Sequence, residues 1–160
     1  MKKLFSSRPC RRHAFAWLIL LRVCLPAAPA SAQTADEIET LLATGAVTYG
    51  RAARFVLEAA DVTVTADPGQ AFQYAAGQNW LPKKASANDA ARLDGIALLV
   101  MRSFDVKGGM FYSVTKNPHY AYRELAYKKV IFGWIDPAAA VSGDDLLYIV
   151  NRIIARQEKQ

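Results

Sequence analysis

The chain has 160 residues, with 20 Lys and Arg against 14 Asp and Glu, a formal net charge of +6 and two cysteines. Residues 1–32 hold six of the basic residues, none of the acidic ones and both cysteines, so the remaining chain is balanced at 14 basic and 14 acidic residues. The scattered charges of both signs form no basic stripe of the kind that binds nucleic acid, so the basic net charge of the whole chain comes from the leader. The absence of cysteines from residues 33–160 excludes disulfides, a thiol nucleophile and thiolate metal sites there.

The first 32 residues have the pattern of a secretory signal peptide. A basic stretch precedes the apolar run Ala14 to Leu21, and Ala30-Ser31-Ala32 is a small-residue cleavage pattern, which predicts removal before Gln33. A membrane anchor is the alternative, but the apolar run is far shorter than the ~20 residues that a span needs. We therefore expect an exported, periplasmic or envelope-associated protein without a stable transmembrane anchor. Lipidation at Cys24, and Sec or Tat export, stay open.

Residues 33–160 form one domain by their length, and helix signals dominate them. Thr34 to Glu37 resembles a capping box, and Asp67-Pro68, Asn117-Pro118 and Ser142-Gly143 are typical helix starts. Asn88 or Asp89 is expected to cap the most apolar helix, from about residue 90 to 104. Residues 62–65 favour a short extended connector, whereas residues 110–114 fit helix and strand equally well.

A faint internal repeat organises these helices. Residues 71–104 and 121–154 align without gaps at six identical positions, and their apolar positions also coincide. We interpret the domain as three helix-loop-helix units, at about residues 35–60, 68–104 and 118–155. The fold class expected is therefore mainly all-α, with the units packed as a compact bundle and short extended connectors between them.

The units resemble the S-layer homology domain family, in which a Thr-Arg-Ala-Glu-like motif begins the second helix of each unit. Ala91-Arg92-Leu93-Asp94 is similar to that motif, Val141-Ser142-Gly143-Asp144 keeps its acidic residue, and Thr48-Tyr49-Gly50-Arg51 keeps its threonine. The resemblance implies a pseudo-threefold helical prism that binds cell-wall polysaccharide between its units. It also implies a binding site centred on the middle unit.

Four residues are candidate ligand-binding residues. Arg92 in the first turn of a helix can hold an anion together with free helix amides, and Asp94 can orient Arg92; alternatively, both are ordinary surface residues. Trp80 and Trp134 can stack on a sugar or seat their loops on the core. The hypothesis is a non-catalytic, cofactor-free envelope domain that binds a wall polysaccharide or a peptidoglycan-associated glycan. The alternative is a periplasmic protein-protein adaptor or assembly factor.

Enzymatic and metal-binding patterns are weak throughout the sequence. His119 is the only histidine after the leader, and no nucleophile elbow, phosphate loop or calcium loop is present. The adjacent pair Asp144-Asp145 diverges by about 100° on a helix, which argues against a shared catalytic cleft.

Overall fold

The computed structural model describes residues 30–132 and 136–159. The predicted all-α class is confirmed: the described chain is mainly helical, and its helices pack into a compact bundle. In chain order the helices are α1 (Ala30–Leu42), α2 (Tyr49–Ala59), α3 (Pro68–Gly77), α4 (Leu93–Ser103), α5 (Met110–Thr115), α6 (Pro118–Tyr127) and α7 (Gly143–Gln157).

Short polar side chains begin most of these helices, as the sequence predicted. Asp67 and Asn117 each accept a hydrogen bond from the amide two residues ahead, and each is followed by a proline at the first helical position. Ser142 accepts from the amide of Asp145 at 3.1 Å, and the Ser142 hydroxyl donates to the Asp145 carboxylate at 2.6 Å. Because such caps are local, the sequence alone places these helix starts correctly.

Two local predictions differ from the structure, and one segment that the sequence left unassigned is a helix. Helix α1 already includes Ala30, so Thr34 lies inside it and does not begin it. Helix α4 begins at Leu93, whereas the carboxylate of Asp89 accepts from the amide of Ser86 and closes a turn before the helix. The unassigned residues 110–114 lie in α5.

The segments before α2, α4 and α7 meet in a ring of three backbone hydrogen bonds. The amide of Val47 donates to the carbonyl of Val141 at 2.8 Å, Val141 donates to Ala91 at 2.9 Å, and Ala91 donates to Val47 at 2.7 Å. Each of the three residues therefore donates once and accepts once. These bonds join three successive helix pairs, α1–α2, α3–α4 and α6–α7, around a common centre. Two isolated bridges, Thr48 with Ala90 and Arg92 with Ala140, accompany this ring. Residues 62–65, where the sequence favoured an extended connector, form no bridge.

This ring fixes which residues are equivalent in the three pairs. With Val47, Ala91 and Val141 in register, the N-cap residues Thr48, Arg92 and Ser142 also coincide. The sequence alignment of the middle and last units is therefore correct. Its alignment of Thr48 with Ala91 is wrong by one residue, because no identity between the first unit and the others fixed the register.

The helix packing follows the same cyclic order. Helix α2 packs on α3, α4 packs on α6, and α7 packs on α1, so the second helix of each pair contacts the first helix of the next. Leu57, Ile96, Leu99, Met101, Leu125, Leu146 and Ile153 are the largest of the fully buried side chains. Helix α4 is buried along almost its whole length, as its continuous apolar sequence predicted.

Candidate functional site

Arg92 and Asp94 form an ion pair at the start of α4. The Nε and Nη2 atoms of Arg92 donate to the two carboxylate oxygens of Asp94 at 3.2 and 2.9 Å. The Arg92 side chain is half-exposed and that of Asp94 is largely covered. The hydrogen bond and the charge of Asp94 raise the pKa of Arg92 above its ordinary value. The pair thus presents a neutral donor and acceptor surface, because Asp94 already occupies the guanidinium fork.

The helix amides expected beside Arg92 are already bonded. The amides of Leu93 and Asp94 donate to the carbonyls of Ala139 and Pro137 at 3.0 and 2.9 Å, and the amide of Arg92 donates to the hydroxyl of Tyr49 at 3.2 Å. Arg92 is also the N-cap residue of α4 and not a residue of its first turn. The free amides that the predicted anion site would use are therefore not available at Arg92, Leu93 and Asp94, because these donors hold the middle helix pair to its neighbours.

Trp80 is not part of this arrangement. Trp80 is half-buried, packs on the hydrophobic core, and meets the ring of Tyr74 edge to face at 6.0 Å. These contacts favour the interpretation in which Trp80 seats its loop. Trp134 lies outside the described residues.

A cavity of about 210 Å³ adjoins the extended segment at Arg92. The aromatic cavity, as we call it, is lined by Leu93, Ile131, Phe132, Ala139, Ala140, Val141, Asp145, Tyr148 and Ile149. Ala140 forms the backbone bridge with Arg92, so the ion pair lies next to the residues that form one wall of the cavity. Phe132 and Tyr148 are about half-exposed and meet at 6.2 Å with their rings inclined at 65°.

Arg152 holds these two rings in place. Its guanidinium carbon lies 4.7 Å from the centre of the Phe132 ring and 5.8 Å from that of Tyr148, and its Nη2 atom donates to the carbonyl of Lys129 at 2.8 Å. Cation-π contacts and a fixed hydrogen bond restrict the rotamers of all three side chains. No sequence motif marks these three residues, although Tyr148 stands out as a position of α7 that lies off its buried stripe.

A second cavity occupies the equivalent face of the first helix pair. It has a volume of about 470 Å³ and lies between α1 and α2, with Arg51, Arg54 and Phe55 in its wall. By the ring register these residues correspond to Asp145, Tyr148 and Ile149 of the aromatic cavity.

The corresponding residues of the middle pair are covered. Gly95, Leu98 and Leu99 are all buried in α4. The two cavities described here therefore lie on the first and third helix pairs, whereas the sequence had favoured the middle one. The middle pair contributes Leu93 to the wall of the aromatic cavity and the Arg92–Asp94 ion pair beside it.

Within residues 30–132 and 136–159, no group of three or more His, Cys, Asp or Glu side chains is arranged to hold a metal ion. None of the helices in this part of the chain is long and apolar enough to cross a membrane.

Comparisons with family models, with curated proteins and with solved structures give no match to this chain.

Proposed function

We propose that this protein is an exported, non-catalytic cell-envelope domain that binds a cell-wall polysaccharide or peptidoglycan-associated glycan in the aromatic cavity. The observation that carries the proposal is the fixed pair of half-exposed rings, Phe132 and Tyr148, above an apolar floor and beside carboxylate and guanidinium groups. Sugar rings present apolar faces and polar edges, so stacking surfaces bordered by hydrogen-bonding groups suit them.

The size and charge of the cavity restrict the ligand. At about 210 Å³ it is smaller than the ~300 Å³ at which pockets for drug-sized molecules begin, so it suits part of a polymer and not a large free ligand. The neighbouring Arg92 is neutralised by Asp94, which favours uncharged sugar hydroxyls over a strongly anionic polymer at this point. The cyclic arrangement of three helix pairs and the signal-peptide pattern of the leader also support an envelope role.

Binding to isolated cell-wall material tests the proposal. The purified protein is expected to sediment with walls, and Tyr148→Ala is expected to weaken this binding about tenfold, because one stacking contact with its buried area is worth about 1.4 kcal/mol. Tyr127→Ala is the matched control, since Tyr127 is 86% exposed and does not line the cavity. Absence of wall binding, or equal losses in the two variants, would contradict the proposal.

The charge of the polymer can be tested at the ion pair. Arg92→Ala is expected to weaken binding of a neutral glycan through the loss of a hydrogen-bond donor. Asp94→Asn frees the guanidinium, so it is expected to strengthen binding of an anionic polymer and to leave a neutral one almost unchanged. Capture of one stoichiometric protein, with no glycan bound, would instead favour the adaptor function.

A further inference from the structure

Helix α5 interrupts the regular order of helix pairs. Residues 60–67 connect α2 to α3 without a helix, whereas the corresponding connection from α4 to α6 contains the six residues Met110–Thr115. Of these six side chains, only Tyr112 is buried. Tyr112 is thus the one buried side chain of this helix, and its other apolar side chains lie on the surface.

The exposed face of α5 is strongly apolar. Met110, Phe111 and Val114 are 74, 65 and 78% exposed. Phe111 stacks on Tyr120 with ring centres 5.8 Å apart, and Tyr120 meets His119 edge to face at 5.6 Å. We call Met110, Phe111, Val114 and their aromatic neighbour Tyr120 the α5 surface. Large apolar side chains grouped in this way mark interaction surfaces, because water contact with them costs free energy that packing could have avoided.

The stretch of chain that contains the α5 surface is basic. Residues 106–123 contain no Asp or Glu, but they contain Lys107, Lys116 and Arg123, all of which are exposed. Asp105 and Glu124 border this stretch, and the Glu124 carboxylate is directed towards the backbone at Gly109. Since residues 33–160 are balanced in charge, this stretch is locally basic, and it contains the exposed apolar group.

We propose that the α5 surface docks onto an anionic phospholipid membrane surface. Phe, Met and Val side chains on a short helix reach the boundary between headgroups and acyl chains, Tyr and His suit the headgroup level, and Lys and Arg pair with lipid phosphates. An apolar protein partner would not require the flanking cations, whereas an anionic membrane uses both features. This proposal is independent of glycan binding, because the aromatic cavity shares no residue with the α5 surface.

Vesicle co-sedimentation tests this proposal. The protein is expected to bind vesicles of phosphatidylglycerol and phosphatidylcholine in equal parts, and to bind pure phosphatidylcholine vesicles much more weakly. Met110→Ser with Phe111→Ser is expected to weaken binding at least tenfold, from the apolar area lost. Lys107→Glu with Lys116→Glu is expected to weaken it by roughly fivefold or more for each lysine, and added salt is expected to do the same.

Matched controls separate docking from damage to the fold. Val64→Ser removes an apolar side chain that is 77% exposed in the loop between α2 and α3, and it is expected to leave vesicle binding unchanged. The Tyr148→Ala variant is also expected to bind vesicles as the unchanged protein does, although its binding to cell walls is weakened. The proposal is overturned if the protein binds no vesicles, if the α5 and Val64 variants behave alike, or if the α5 variants abolish only self-association or binding to a protein.

Discussion

Replacement of Gly143 by Ala tests the contact that closes the cyclic packing. A Cβ atom at Gly143 would lie 1.7 Å from the carbonyl oxygen of Leu41 and 2.5 Å from its carbonyl carbon. Real Cβ atoms do not approach closer than 3.0 Å, so the end of α1 must retreat by about 1.3 Å, the difference between 3.0 and 1.7 Å. The obstacle is backbone, which cannot rotate away as a side chain can.

The expected loss of stability comes from the contacts that a displacement of the end of α1 disrupts. The amide of Gly143 donates to the carbonyl of Thr44 at 2.9 Å, and this hydrogen bond contributes about 1 kcal/mol. Leu41 is buried, and forced repacking of such a site costs about 1–3 kcal/mol. We therefore expect Gly143→Ala to lower the free energy of unfolding by about 2–4 kcal/mol, although Ala is ordinarily the better helix former.

Urea denaturation followed by circular dichroism measures this change, and Gly77→Ala is its control. Gly77 ends α3, and no atom other than its chain neighbours and its own helix backbone lies within 4 Å of the position that its Cβ atom would take. The same substitution is therefore expected to be neutral or to stabilise by up to about 1 kcal/mol. Equal stability of the two variants, or a more stable Gly143→Ala protein, would refute the close approach of α1 to α7. Amide hydrogen exchange should locate the loss of protection in α1 first.

Two further predictions concern hydrogen bonds at the helix starts. Burial raises the pKa of the Tyr49 hydroxyl, so the folded state holds this proton more tightly than the unfolded state. The protonated Tyr49 therefore contributes its full stability to the fold below pH 10, and this contribution is lost as the pH rises through the folded pKa. Tyr49→Phe removes the acceptor of the hydrogen bond from the Arg92 amide, so it is expected to lower the free energy of unfolding by about 1 kcal/mol near neutral pH. In urea titrations at a series of pH values, the variant is expected to lose less stability above pH 10 than the unchanged protein does. An unchanged alkaline loss would contradict this assignment. Ser142→Ala is expected to lower the stability by about 1 kcal/mol and Thr48→Ala by less, because the capping hydrogen bond to Ser142 is 3.1 Å long and the one to Thr48 is 3.4 Å long. A larger loss for Thr48→Ala in thermal unfolding would be inconsistent with these distances.

The candidate site was only partly predictable. The pairing of Arg92 with Asp94 joins residues two apart, so local sequence was enough to suggest it. The bonding of the neighbouring amides to Ala139 and Pro137 involves chain separations of more than 40 residues, and no local pattern predicts it. Phe132 and Tyr148 form a candidate binding surface only because Phe132, which follows α6, lies against Tyr148 of α7 and Arg152 stacks on both rings.

The sequence by itself determined the all-α class, the starts of α3, α6 and α7, and the relation between the middle and last units. These depend on apolar periodicity and on caps formed within three residues, which are local in the chain. The tertiary structure decided the ring of Val47, Ala91 and Val141, the register of the first unit, the close approach at Gly143, and the positions of the cavities. These features depend on contacts between distant segments, and such contacts exist only after the three helix pairs have packed around one core.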